Sequence, residues 1–408
     1  MTIKVKNIDQ LVFILLVPIL LTDMLNGFMF ENNISTFFSI GQFYKIIIIC
    51  LCSLRIISYP QYFRVIFWAF CVLMVPSIIK IIQGLISIDR IVYDMIKTIK
   101  FLILPITFFY FRIVFTTTNN KVLPYFVFWI KISFFILAFN LISKLVGFGY
   151  PMYRVENIGS RGYFIAGNEI SALLLVLSGF LGYYSLIIKR SLRGFLIYAI
   201  VSFCLGLLIS SKTGIAGVIL VFLMIFLTSD FFSIKEKKQR KVLFLFTSIF
   251  TILVSIAIYF IQKSSIIERY SYYWKKLDVY TFILSSRNTY FKEMLVIYNE
   301  NYDLIDCLFG VGASRYETLG GRYVEIDFLD VFFIYGISGI VLLSLYVGYM
   351  LVNLAKIRNE VSHPFSKLSM IMIFLLLILS CLSGHILNSG IAGIFIGFVF
   401  SLMYVEVK

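Results

Sequence analysis

Apolar runs of about twenty residues recur along nearly the whole chain, and no other feature limits its fold as much. A helix of about 20 mostly apolar residues crosses the hydrocarbon core of a bilayer, because it pairs its own backbone N–H and C=O groups where water cannot. About twelve such runs can be placed, at 10–30, 37–57, 64–86, 98–117, 122–146, 167–188, 193–210, 213–233, 242–262, 327–355, 366–384 and 387–405. Hydrophobic residues make up 60% of the 408 and charged residues 14%, against roughly 45–50% and about 25% in a soluble domain. The expected fold is all-α, a polytopic integral membrane bundle of about 12 transmembrane helices that forms one domain over 1–408. One sizeable segment, 263–325, lies between spans as a large extracytoplasmic loop containing short amphipathic helices.

Lys4 and Lys6 precede the first run like the n-region of a signal peptide, but "MLNGFMFENN" offers no small-residue cleavage site, so an uncleaved first span is expected. Six cysteines occur without a CxxC pair, and the two histidines form no HExxH, so neither a disulfide framework nor a metal site is signalled. No cofactor is expected. The formal charge is +15, from 36 Lys and Arg against 21 Asp and Glu. In a soluble protein that excess would suggest nucleic acid; in a membrane protein the order of the charges matters more. With both termini in the cytoplasm, the inner loops are short and basic, including "KEKKQRK" from Lys235 to Lys241, as the positive-inside rule requires.

The outer side also carries cations. They include Lys97, Lys100, Lys144, Arg154, Arg161 and Lys212, and in the long loop "RYSYYWKK" (Arg269 to Lys276), Arg287, Arg315 and Arg322. Two readings stand: an ordinary solvated face, or an anion held at the interface, for which a lipid phosphate is the natural choice. Within the loop, "SSRNTYFKEMLVIYNE" (Ser285 to Glu300) has apolar residues at helical spacing, with Ser285 or Ser286 as N-cap. Arg287 then sits at the wrong end of the helix dipole, a conflict that an anion on the free N–H groups and the guanidinium would remove.

Elsewhere, Asn168 and Glu169 open a span at a helix mouth, where Asn168 can cap free N–H groups, and "SSKTG" (Ser210 to Gly214) is a polar hinge. Glu325, Asp327 and Asp330 begin another span, where a carboxylate is a functional candidate by default but also suits the positive end of the helix. His385 is read as structural. Tyr270, Tyr272, Tyr273 and Trp274 suit either an interfacial belt or stacking on sugar faces.

Four stretches in order, "SRGYFIAGNEISALL", "ISSKTGIAGVILVF", "SSRNTYFKEM…LFGVGASRY" and "FFIYGISGI", resemble the O-antigen ligase/polymerase superfamily. The resemblance runs from about Arg154 to Ile340. It implies that Arg161 and Arg287, with Lys212 and Arg154, grip the pyrophosphate of a polyprenyl-linked glycan. It places Asn168, Arg315, Tyr316 and Arg322 around the glycan at the helix mouth. The ligase branch carries a His ahead of the G-x-x-G; counting back from Gly336 gives Glu325, and the His is absent. The departure favours the Wzy-type polymerase branch, with Glu325, then Asp327, as the base.

The function so implied is metal-independent glycosyl transfer that joins polyprenyl-pyrophosphate-linked repeat units into O-antigen or a related surface polysaccharide, at the outer face of a bacterial inner membrane. A ligase passing finished glycan to another acceptor is one alternative. A lipid-linked oligosaccharide flippase or transporter is another. Expected partners are the lipid-linked donor and acceptor, membrane lipids, a chain-length regulator and a flippase, but no nucleic acid.

Overall fold

The computed structural model describes residues 2–34, 39–118, 121–153, 157–165, 167–229, 278–357, 360 and 362–406, with single helical positions at 248, 251 and 255. In the amino-terminal half the helices are α1 (Thr2–Leu16), α2 (Ile19–Glu31), α3 (Ile40–Ile57), α4 (Pro60–Ile82), α5 (Ile91–Thr118), α6 (Leu123–Ile142), α7 (Gly167–Tyr183), α8 (Leu192–Ile209) and α9 (Lys212–Leu227). The remainder contains the short helices α10 (Val279–Ile283), α11 (Arg287–Asn301), α12 (Leu304–Phe309) and α13 (Ala313–Thr318), then α14 (Asp327–Ile357), α15 (Ser366–Leu382) and α16 (Gly393–Ser401).

Among the described residues, seven helices are long and apolar enough to cross a membrane, and a bent pair, Asn7–Leu16 with Ile19–Glu31, makes an eighth. The 47° bend falls beside Pro18, which has no N–H for the helix ladder and crowds the preceding turn. Shorter apolar helices at Lys212–Leu227, Ser366–Leu382 and Gly393–Tyr404 account for three more of the expected runs. The chain is thus an all-α, multi-pass membrane protein. The run at 242–262, like "KEKKQRK" and "RYSYYWKK", lies outside the described residues.

Three boundaries move by six or seven residues: α5 starts at Ile91 where 98 was expected, α9 ends at Leu227 where 233 was expected, and the start of the last span shifts as well. A span was expected from 387, but helix begins only at Gly393. Ser383–Ala392 is irregular, because its backbone N–H groups are drawn onto carboxylates of two neighbouring helices instead of a helical ladder. The helix that follows is central: α16 packs along α5, and Trp129 of α6 stacks on Phe395 with ring centroids 4.7 Å apart.

α14 is also broken inside its length. Gly336 has φ +63° and ψ −160°, a conformation open essentially to glycine alone. The break receives the turn that begins with Leu308. Gly312 donates its N–H to the Ile334 carbonyl at 3.0 Å. A Cβ on Gly336 would stand 2.5 Å from the Gly310 nitrogen, and one on Gly310 would stand 2.2 Å from the Ile334 oxygen. The "FGVG" motif (Phe309 to Gly312) and Gly336, the first glycine of "GISG", therefore serve one contact, backbone against backbone. Non-helical backbone at such depth is tolerated where protein supplies its hydrogen bonds.

Lys80 of α4 meets Asp306 of α12 at 2.6 Å, and both side chains are only 3% exposed. Removing one partner of a buried pair strands the other charge. Lys80→Met is expected to destabilise the protein by about 3–5 kcal/mol, with part recovered in Lys80→Met/Asp306→Leu. Gly336→Ala is expected to cost at least about 1–3 kcal/mol through backbone strain. Thermal melting of the solubilised protein measures both.

Candidate functional site

The end of α2, the α6–α7, α8–α9 and α15–α16 connections and the segment from α10 to the start of α14 meet at one end of the bundle, here called the mouth. The Arg161 turn is built on α6. Asn140 donates to the Arg161 carbonyl at 3.0 Å and accepts the Tyr163 N–H at 2.8 Å. Gly162, at φ +57°, lets the backbone close over Asn140. Next to it, Ser160 donates its N–H to Leu208 O at 2.6 Å, which ties the turn to the end of α8. There Ser210 turns left-handed at φ +61°, and Ser211 caps α9 by accepting the Gly214 N–H at 2.9 Å. Lys212 Nζ lies 3.3 Å from Ser285 Oγ, two residues before Arg287. The hinge between α8 and α9 thus lies between the Arg161 turn and the start of α11.

Both arginines are sealed and already paired. Arg161 Nη2 meets Glu31 Oε1 at 2.5 Å and Nη1 donates to Ile165 O at 2.8 Å. Arg287 Nη2 meets Glu325 Oε2 at 3.0 Å and Nη1 donates to Leu382 O at 2.9 Å. In each, Nε is buried without a partner among the described residues. Arg154 lies outside the described residues.

The helix dipole argument at Arg287 therefore has a different answer from the expected anion. Glu325 supplies the negative charge, and the Arg287 N–H is not free, since it donates to Leu284 O at 3.2 Å. Ser286 occupies the N-cap position at φ +66° without a side-chain capping bond. The helix itself is present, one or two residues from the expected ends.

The three carboxylates before and in α14 differ in their surroundings. Glu325 stands in a left-handed turn at φ +60°, its side chain 36% exposed and facing Arg287. Asp327 is buried and accepts the N–H groups of His385, Ile386 and Leu387 at 2.6, 3.0 and 2.8 Å. Both of its oxygens are committed to backbone donors, which leaves Glu325 the more accessible of the two carboxylates. Asp330 accepts the Val324 N–H at 2.7 Å, and its other oxygen is buried without a partner among the described residues.

The remaining predicted residues are spread around the same mouth. Asn168 is the second residue of α7 and not its cap, since the helix already begins at Gly167. Tyr316 is buried in α13, its hydroxyl donating to Arg322 O at 2.6 Å, and burial holds that phenol well above its ordinary pKa. The exposed Arg322 guanidinium lies 3.6 Å from the centre of the Tyr290 ring. Arg315 is half-buried in the same short helix. Among the described residues, no cluster of three or more His, Cys, Asp or Glu could ligate a metal.

Glu169 was noted in the sequence only as a residue of the helix mouth. Buried in the first turn of α7, it accepts from Lys100 at 3.2 Å, from Ser389 Oγ at 2.7 Å and from the Ile391 N–H at 2.8 Å. Glu169 and Asp327 together hold the irregular Ser383–Ala392 segment. Glu31 and Lys100 were likewise given no pairing role. The available signal was the presence of acidic residues close to span ends that also carry unexplained cations.

With this geometry in hand, comparison with known proteins gives one finding. Residues 272–408, about a third of the chain, match the family model described as O-antigen ligase like membrane protein. The matched segment contains Arg287, the "FGVG" turn, Glu325 and the broken helix α14, and it supports the superfamily resemblance drawn from the motifs. The family points to a role in surface-glycan assembly by glycosyl transfer. No curated protein and no solved structure matches the chain.

Asp327→Asn is expected to destabilise by about 1–3 kcal/mol, because the amide turns a donor towards N–H groups that need an acceptor. Melting of the solubilised variant checks this.

Proposed function

We propose that the protein is a polymerase that joins polyprenyl-pyrophosphate-linked oligosaccharide repeat units on the extracytoplasmic face of the membrane. The observation that carries the reading is the Arg287–Glu325 pair at the mouth, inside the segment that matches the family model. A cation for the leaving group and a half-exposed carboxylate for the nucleophile stand 3.0 Å apart.

The chemistry needs both. A hydroxyl of one lipid-linked unit attacks the anomeric carbon of the other, forming the new C–O bond. The bond from that carbon to the pyrophosphate breaks, and the pyrophosphate leaves with the electron pair. Arg287 and Arg161 stabilise the developing charge. Glu325 takes the proton of the attacking hydroxyl. An arriving pyrophosphate competes with the two carboxylates for the guanidinium groups, so binding at Arg287 frees Glu325 to act as base. Glu325 also stands where the ligase branch carries His, which favours polymerase over ligase.

Purified protein incubated with lipid-linked repeat units is expected to give a ladder of lengthening products. Arg161→Ala and Arg287→Ala should abolish it while protein remains in the membrane, and the Arg→Lys variants should restore it only in part. Glu325→Gln is expected to slow it by about 10²–10⁴-fold. Normal ladders from both Ala variants refute the arginine clamp. Transfer of finished glycan to a second acceptor, with no ladder, assigns the protein to the ligase branch.

A further inference from the structure

A cleft of 540 Å³ runs between α4, α5 and α14, walled by apolar side chains such as Ala69, Leu73, Phe101, Phe109, Leu343 and Met350. Its rim includes Val65 and Leu345, 56% and 65% exposed on the lipid-facing surface. Phe101 also walls a second, polar chamber of 100 Å³, and Leu387 of the cleft adjoins Asn388 of the chamber. Cleft and chamber are thus neighbours that share the Phe101 wall.

The chamber is lined by Lys97, Lys100, Tyr323, Asp330, His385 and Asn388. Its lysines are more accessible than the arginines, at 31% and 38% side-chain exposure against 9% for Arg161 and 8% for Arg287. Lys97 stands between the Tyr93 and Tyr323 rings, 4.9 and 5.4 Å from their centres, and its contact with Glu317 is a loose 3.8 Å. Lys100 already contacts Glu169 at 3.2 Å, but each ammonium carries three N–H donors and one carboxylate contact, so both keep donors for further anionic oxygens. Two acceptors ask for donors: one oxygen of Asp330 and Oδ1 of Asn388 are buried and without a partner among the described residues. A bare phosphate answers only the first demand, and a neutral sugar only the second. A sugar phosphate answers both.

We propose that the chamber and the cleft together seat a long-chain glycosyl phosphate lipid, with phosphate oxygens between Lys97 and Lys100, a hydroxyl of the attached sugar on Asp330, and the chain in the cleft. The inference rests on the glycan-assembly reading and extends it. A polymerase holds two lipid-linked substrates at once, and the mouth offers two cationic sites. The arginine pair takes the one whose pyrophosphate leaves. The lysine chamber takes the carrier of the attacking unit.

Photolabelling of the full-length protein in phosphatidylcholine nanodiscs, with a diazirine-bearing polyprenyl phosphate carrying one glucose, tests the seat without requiring turnover. Label is expected on residues 65–73 and 342–350. Lys97→Gln should reduce it about tenfold, as loss of one charge-assisted contact implies. Lys97→Arg should retain it, and Ala69→Phe, which fills the cleft, should suppress it. Arg287→Ala should leave it intact. Equal labelling by the uncharged polyprenol, or undiminished labelling of Lys97→Gln, overturns the proposal. Displacement by inorganic phosphate at the same concentration as the lipid would assign the chamber to free phosphate instead. Retained label together with absent polymer would sink the polymerase reading alone.

Discussion

A charge inside a membrane protein must find its partner within the protein, since hydrocarbon offers none, and the architecture of the mouth follows from that rule. Lys80 finds Asp306, Lys100 finds Glu169, Arg161 finds Glu31 and Arg287 finds Glu325. Each pair ties together segments distant in sequence. The same rule governs backbone. The irregular Ser383–Ala392 segment persists because Asp327 of α14 and Glu169 of α7 accept its N–H groups. Loss of either carboxylate would leave several buried donors unpaired at once.

The break in α14 brings loop and membrane into a single unit. Gly336 opens a gap in the helix and the Gly310–Gly312 turn fills it, so α12 and α13 are seated on α14 by their backbones. That contact is rigid in a way that side-chain packing is not, because no rotamer change can loosen it. It sets the position of α13, whose Ser314 N–H reaches the buried Asp94 of α5 at 2.7 Å. Glu325 and Asp330 belong to the segment between these fixed points.

The cations of the mouth divide into two kinds. Arg161 and Arg287 are sealed, bidentate in capacity and held by carboxylates, so a ligand reaches them only by exchange. Lys97 and Lys100 are looser and line a chamber that shares its Phe101 wall with an apolar cleft. Exchange suits a leaving group whose charge grows during reaction. An open seat suits a substrate that enters from the lipid with its chain attached.

Much of the fold was legible from hydropathy alone, because lipid imposes one periodicity and one minimum length on every span. The helices α3 to α8 and α14 lie close to the runs read from sequence. The motifs also placed Arg161, Arg287, Lys212 and Glu325 at one end of the bundle. What they could not convey was pairing. The cations expected on the outer side left two readings open, a solvated face or a held anion, and neither foresaw that Lys97, Lys100, Arg161 and Arg287 each stand within 4.0 Å of a carboxylate of the protein. Glu31 lies 130 residues from Arg161, and Glu169 lies 69 from Lys100. The order of residues determines which stretches can cross a membrane, since that is a local property of composition. Which charge neutralises which, which glycine accepts a passing backbone and which carboxylate is left with an open oxygen depend on separations of a few ångströms between distant segments, and only tertiary packing decides those.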